Sequence, residues 1–236
     1  MTSLTGANVA VEADLELIRH AVDVPRDRQD ALLDDIERVM RSSWNLSRRH
    51  FSHEDSPFQP GFSIALIHEA GRVVGYSVFR LLELDGARVL YRGGAAVETG
   101  AQNRGHYARM TAAMLRVDAE AAPRAKRHLA WRTRNPVIWC ANAYLCEAVV
   151  PDLTGGDPEL LTLCLRLARE LYPDHELDST SMVMRNVYGH MPERARDYAR
   201  VDPAVAAWFS SALSEPGDAM LALGRLREGV FSEARV

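Results

Sequence analysis

The stretch Ala96-Val97-Glu98-Thr99-Gly100-Ala101-Gln102-Asn103-Arg104-Gly105-His106-Tyr107 decides how this chain is read. It leaves an apolar run with strand character, Arg88 to Val97, and crosses a polar, glycine-bearing loop. It then enters an amphipathic helix to about Glu120 whose expected buried stripe is Tyr107, Met110, Thr111, Met114 and Leu115. A strand-loop-helix corner of this kind points successive backbone N–H groups into the loop, and the helix dipole adds positive potential there. A pyrophosphate is a natural guest; the plain alternative is a glycine-containing connection with no ligand. A dinucleotide fingerprint is excluded by spacing. Gly93, Gly94, Gly100 and Gly105 cannot be arranged as G-x-G-x-x-G, and the strand before the loop follows hairpins instead of opening a βαβ unit.

Upstream of the loop the pattern has the two-residue period of strands. Phe62 to His68 and Val73 to Leu84 read as strands joined by a turn at Glu69-Ala70-Gly71-Arg72. Asp85-Gly86 is a two-residue hairpin signal into the third strand, Arg88 to Val97. Gly93-Gly94 inside that strand indicates a bulge or a close backbone approach by a ligand. Earlier still, residues 1–10 read as a loose terminus, Leu15 to Val24 as a strand, and Asp27 to Arg41 as an amphipathic helix. Trp44 to Pro60 reads as short helix and loop.

Downstream, His128 to Thr133 is a short strand. Pro136 to Val149 reads as a helix with Asn135 as N-cap and proline at its first position. A helix follows over Glu159 to Leu171. Ser181 to Tyr188 and Ala219 to Leu226 read as strands flanking a helix from Pro203 to Leu213. The sum is a mixed α/β chain of the α+β type, with its antiparallel hairpins first.

Composition narrows the chemistry. With 236 residues, 47% hydrophobic and 25% charged, the chain suits one globular domain with a sizeable core. Lys126 is its only lysine, between Ala125 and Arg127, so neither a P-loop Gly-Lys-Ser/Thr nor a Schiff-base lysine with a supporting pattern is present. The arginine excess reads as a coding-composition bias. With a net charge of −4 and no long basic run, no nucleic-acid partner is expected. Cys140, Cys146 and Cys164 form neither a C-x-x-C pair nor a disulfide framework, and the eight histidines show no zinc-ligand spacing, so no metal is expected. No leader pattern or long apolar segment is found, which gives a cytoplasmic, membrane-free expectation.

The loop resembles the acyl-CoA binding motif of the GNAT acetyltransferase superfamily. That motif places a strand-ending hydrophobic residue five positions before an Arg/Gln-x-x-Gly-x-Gly/Ala loop. Val97 and Gln102 have this separation and Gly105 fills the middle glycine, while Tyr107 stands where the family has a small residue. A phenol there leaves less room for the pyrophosphate. The order of elements is also similar: three antiparallel strands before the loop, then a helix, then a strand ending in Trp131-Arg132-Thr133-Arg134-Asn135-Pro136. The resemblance spans Phe62 to Val150. It implies a GNAT-like fold, a mostly antiparallel central sheet flanked by helices. The chain would be one domain over residues 1–236, with an N-terminal helical segment at 27–55 and an extended C-terminal region at 151–236.

By the same resemblance, Gln102, Asn103, Arg104, Gly105, His106 and Tyr107 would surround the CoA phosphates. Ala96 and Val97 would offer the strand edge to the pantetheine amides, and Asn135 would stand at the corresponding strand-to-helix segment. His106 reads equally as a surface histidine. The implied reaction is direct transfer of an acyl group, acetyl first among candidates, from acetyl-CoA or another acyl-CoA to a small-molecule amine. Glu98 is the candidate base, against a solvated loop carboxylate. Tyr144 is the candidate acid, against buried packing, and falls about two residues beyond the family's usual position, where Asn142 stands. Glu69 and Glu83 are expected at the surface. Trp131 and Trp139 read as core or as lining for the acceptor pocket. Two alternatives stay open: a non-catalytic GNAT-like binding or regulatory protein, and an acyltransferase served by acyl-carrier protein through Arg104, Arg109 and Arg132 to Arg134. The C-terminal region would serve as a lid, a homodimer contact or padding.

Overall fold

The computed structural model describes residues 9–12, 14–51, 56–123, 125–189 and 201–229. The chain divides into two compact units, one built on Met1–Leu81 and Arg92–Arg124, the other on Leu82–Tyr91 and Ala125–Glu233.

The first unit opens with β1 (Val9–Glu12) and β2 (Leu15–Ile18), an antiparallel pair in which Glu12 stands opposite Leu15. This corrects the expected loose terminus, whose first eight residues lie outside the described part. It also shortens the expected strand to Val24, because Ala21–Asp23 forms a 3₁₀ turn. Helix α1 (Arg26–Arg41) buries Leu32, Leu33, Ile36, Val39 and Met40, the stripe that its spacing predicts. Strands β3 (Phe62–Glu69), β4 (Arg72–Leu84) and β5 (Ala87–Val97) follow as expected, in the order β1-β2-β3-β4-β5. The Asp85-Gly86 turn has positive φ at both residues, 51° and 76°, the mirror-image geometry that a right-handed strand twist favours in a two-residue hairpin. In β3, Ile64, Ala65, Leu66 and Ile67 are all fully buried, so this strand is covered on both faces. Helix α2 (His106–Ala121) packs against β2 and β3 through buried Met110, Ala113, Met114 and Leu115.

At Gly94 the close approach is made by the chain itself. A Cβ there would lie 3.4 Å from the Phe51 ring.

In the second unit the strand order is β5-β6-β10-β9-β8, with β7 also pairing with β10. These are β6 (Arg127–Thr133), β7 (Cys146–Val150), β8 (Leu177–Asp178), β9 (Val183–Met184) and β10 (Ala219–Leu226). Strand β10 is the core of this unit: Ala219 to Leu223 are fully buried and helix α4 (Pro158–Leu171) packs on it. Helices α3 (Pro136–Ala143), α4 and α5 (Pro203–Ala212) begin alike. In each an Asn or Asp caps the helix and proline takes the first position, where its missing N–H costs nothing.

Two expectations are corrected here. The helix from Pro136 stops at Ala143, and Cys146 to Val150 becomes a strand because Val149 and Val150 find partners on Gly224 and Leu223 of β10. Pairing with a buried strand overrides a weak helical pattern. The Ser181 to Tyr188 strand contracts to Val183–Met184, since Met182 and Asn186 have positive φ, which ends the extended run on both sides.

Candidate acyl-CoA loop

The loop leaves β5 at Val97. Across from it, β4 carries Gly75, where a Cβ would lie 3.3 Å from the Val97 side chain, so the strand end is closely packed. Glu98 donates its backbone N–H to the Val74 carbonyl at 2.8 Å and begins a 3₁₀ turn over Thr99–Ala101. Gln102 then closes the loop on itself. Its Nε2 donates to the Val97 carbonyl at 2.9 Å and to Ser43 Oγ at 3.2 Å. Thr99 Oγ1 donates to the Ser42 carbonyl at 2.9 Å, so the C-terminal end of α1 braces the loop. The five-residue separation of Val97 and Gln102 is thus a physical link, a side-chain amide capping the strand's last carbonyl.

Asn103 and Gly105 both adopt left-handed φ, 64° and 78°, which turns the chain sharply into α2. Around Gly105 nothing lies within 4 Å of where a Cβ would stand, leaving open space over the start of the helix. Asn103, Arg104 and Gly105 are exposed.

The charged groups are more heavily paired than the sequence suggests. Arg104 Nη1 donates to both oxygens of Glu69 at 2.9 Å, and its Nη2 donates to the Gly100 carbonyl at 2.8 Å. His106 is only 6% exposed, with Nε2 3.0 Å from Glu69 Oε1, so it is not a surface histidine, and its buried Nδ1 has no hydrogen-bond partner among the described residues. Its hydrogen bond to Glu69, together with Arg104, holds the Glu69 carboxyl below its ordinary range. Glu98 is likewise engaged: Arg72 reaches both its oxygens at 2.7 Å as a fork, and Arg38 adds a further bond. It is not the solvated loop carboxylate of the alternative reading. Glu83 is at the surface as expected, paired with Arg88 at 2.7 Å.

Tyr107 is engaged by Arg92 of β5. The Arg92 guanidinium lies over its ring, 4.3 Å from the centroid, and donates to its hydroxyl. The same guanidinium stacks on Phe79 at 5.1 Å, and burial lowers its pKa to about 9. The phenol at the family's small position is therefore the partner of a buried arginine.

The remaining candidates lie in the second unit. Asn135 Oδ1 accepts from the Val137 N–H at 2.9 Å as the cap of α3. Tyr144 ends that helix and is 72% exposed, with Arg227 4.6 Å from its ring centroid, so it is not packed inside. Asn142, at the family's usual acid position, is fully buried. Trp131 is core, and Trp139 packs edge-on against Trp208 at 5.3 Å. Among the arginines proposed for a carrier protein, Arg109 is paired with Asp14. Arg134 Nη1 donates to the Glu215 and Asp218 carbonyls at 3.0 and 3.1 Å.

Sequence reasoning missed Glu69, Arg38, Arg72 and Ser43 as members of this loop's surroundings. No local pattern signals them: the register of β3 on β4 sets Glu69 opposite Arg72, while Arg38 in α1 and Ser43 just beyond it reach the loop through Glu98 and Gln102. Among the described residues no group of three acidic, His or Cys side chains is placed to hold a metal ion. None of the helices described is long and apolar enough to cross a membrane.

No protein-family model and no curated protein matches the chain. Solved structures do. One is an acyl-CoA N-acyltransferase from Pseudomonas aeruginosa, at 13% identity over 57% of this chain and 89% of that one, with a TM-score of 0.43. An aminoglycoside acetyltransferase from an uncultured soil metagenomic sample is similar at 18% identity over 55% and 83%, with a TM-score of 0.39. Naa50 of Arabidopsis thaliana, solved with a bisubstrate analogue, is similar at 11% identity over 91% and 100%, with a TM-score of 0.40.

Proposed function

We propose that this chain is a GNAT-like, acyl-CoA-dependent N-acyltransferase, acetyl-CoA being the first donor to test, that acts on a small amine. The observation that carries the reading is the Val97–Gly105 corner. Gln102 caps the strand-ending carbonyl, left-handed sites at Asn103 and Gly105, one on either side of Arg104, bend the chain, and open space lies at the helix start. This is the local geometry that the motif resemblance requires, in a chain whose three antiparallel strands precede it and whose strand β6 follows it.

In this reading the amine attacks the thioester carbonyl, the tetrahedral intermediate collapses, and the CoA thiolate leaves with a proton from an acid. Gln102, Asn103, Arg104, Gly105, His106 and Tyr107 mark the phosphate end, and Ala96 and Val97 the strand edge for the pantetheine. Glu98 is the proposed base and Tyr144 the proposed acid, with Asn135 fixing the start of the helix that bears Tyr144. A thermal-shift series with acetyl-CoA, longer acyl-CoAs and free CoA tests the reading. A ligand at a hundredfold its Kd stabilises by about 2.7 kcal/mol. Absence of a shift with all of them removes it.

One observation favours a second reading, a GNAT-like protein that binds CoA without turning it over. Both oxygens of Glu98 are already bonded to Arg72, and Arg38 bonds to the same carboxylate, so an incoming amine would have to displace an arginine to reach it. CoA release with a panel of amines, compared between wild type and the Glu98→Gln and Tyr144→Phe variants, separates the two. Turnover that survives both changes removes the base and acid assignments.

A further inference from the structure

Among its described residues the second unit holds a cation with no counter-ion. Arg132, near the end of β6, has its guanidinium between two aromatic faces, 4.9 Å from the Tyr172 centroid and 4.5 Å from that of Tyr188. Its Nε is buried and without a hydrogen-bond partner. The groups that surround it electrostatically are Tyr172, Tyr188 and Tyr91. Among the described residues no carboxylate pairs with it, whereas two other arginines of this unit are committed: Arg185 to Asp218, and Arg225 to Asp157.

Three phenols line this place. Tyr91 shares a hydrogen bond with Tyr172 through their hydroxyls, and the Tyr188 hydroxyl donates to the Arg132 carbonyl at 3.0 Å. Burial and the neighbouring Tyr172 push the Tyr91 phenol well above its ordinary pKa, so it stays protonated. Cation–π contact offsets part of the cost of desolvating a guanidinium. It does not neutralise the charge, and a buried charge is normally paired. Arg132 as a residue is partly exposed, while its Nε is buried.

We infer that Arg132, walled by Tyr172 and Tyr188 with the Tyr91 hydroxyl beside them, is a binding site for the carboxylate of a small organic acid. A planar guanidinium makes two parallel hydrogen bonds to a carboxylate, and flanking rings hold it flat for that purpose. Two sources share this chemistry: an amine acceptor that carries a carboxylate, which rests on the acyltransferase reading, and a separate acid that never reacts.

Calorimetric titration of the full chain with benzoate and with benzamide, in the absence of any CoA, tests the site itself. Benzoate is expected to bind and its uncharged isostere is not. Arg132→Met is expected to lose benzoate binding at least tenfold while leaving the thermal midpoint of the free protein unchanged or raised, because it removes an uncompensated cation. Arg132→Lys, which keeps the charge and loses the fork, is expected to bind benzoate more weakly than wild type and gives the same reading if the Met variant does not fold. Equal responses to benzoate and benzamide overturn the inference. So does benzoate binding that survives Arg132→Met, a free-protein midpoint that falls in that variant, or inorganic phosphate binding as tightly as benzoate. CoA release with phenylalanine and phenylalaninamide then separates the sources. A rise in KM in Arg132→Met for the acid alone places the carboxylate on the acceptor; benzoate binding without that split places it on a separate ligand. Benzoate binding is read without CoA, so failure of the acyltransferase reading leaves this result standing.

Discussion

Arg104 gives both oxygens of Glu69 a hydrogen bond from one nitrogen, Nη1, at 2.9 Å. The arginine proposed to meet the CoA phosphates is thus already holding an anion, and His106 at the first turn of α2 holds the same one. A phosphate arriving at this loop competes with a carboxylate of the chain itself. Glu69→Gln is therefore expected to tighten acyl-CoA binding, by about three- to tenfold given the modest worth of exposed ion pairs. Titration with free CoA at low and high salt checks this. An unchanged or weaker affinity in the variant shows that Glu69 assists the loop instead of competing with it.

The sign of the pH effect follows from the direction of the shift. The Glu69 pKa is lowered from 4.5 on folding, by its bond to His106 and by Arg104, so its contribution is complete above that value and is lost as pH falls below it. Wild type and Glu69→Gln should differ in CoA affinity at pH 7, and the difference should shrink as the pH is taken below 4.5.

Tyr107 and Arg92 form a unit that the sequence presents as an anomaly. Restoring the family's small residue with Tyr107→Gly would leave the buried Arg92 guanidinium without the ring and the hydroxyl that it uses. A loss of about 3 kcal/mol is expected from removing one side of a buried charged contact, and helical glycine adds a further cost. Tyr107→Phe keeps the stack and removes the acceptor, for about 1.5–3 kcal/mol. Urea unfolding of both variants checks the order, Gly worse than Phe.

How much of this was open to the sequence depended on the range of the interactions. The period-two runs of β3, β4 and β5, the Asp85-Gly86 turn and the stripe of α1 are local patterns, and they were readable residue by residue. So was the Val97-to-Gln102 spacing, which turned out to be a bond. What was not readable came from pairing between distant segments. Cys146 to Val150 looks helical until β10 is set beside it, and Glu69 looks like turn filling until the β3–β4 register carries it to Arg104 and His106. The partner of Tyr107, Arg92, lies fifteen residues earlier on a strand and has no local signature at all.

Asp14 and Arg109 link the β1–β2 turn to α2 through two charged hydrogen bonds, one of them 2.7 Å long. The side-chain bond to Arg109 lowers the Asp14 pKa from 3.8 to about 2. A depressed carboxylate stabilises the fold above its unfolded value, and that stability is lost as pH falls through the folded one. The pair is largely exposed, so solvent screening holds its worth to about 0.5–1 kcal/mol. Asp14→Asn should leave stability between pH 4 and pH 2 less dependent on pH than in wild type. Chemical denaturation across that window measures the slope, and identical slopes would remove Asp14 from the acid response.

Gly224 in β10 is set against Cys146 in β7 so closely that a Cβ on it would lie 2.4 Å from Sγ and 2.8 Å from the Cys146 Cβ. The sulfur can rotate away; the Cβ and the Ala148 carbonyl oxygen, 3.2 Å off, are fixed to the neighbouring strand. Gly224→Ala is therefore expected to push β7 from β10 and cost about 1–3 kcal/mol as overpacking. Cys146→Ala alone removes a buried sulfur at a smaller cost. In the double variant the sulfur clash is gone and the Cβ clash remains, so rescue should be partial, with a coupling of about 0.5–1.5 kcal/mol. A coupling near zero would mean that the strain at Gly224 comes from the backbone of β7 alone, and full rescue would mean that it comes from the sulfur alone.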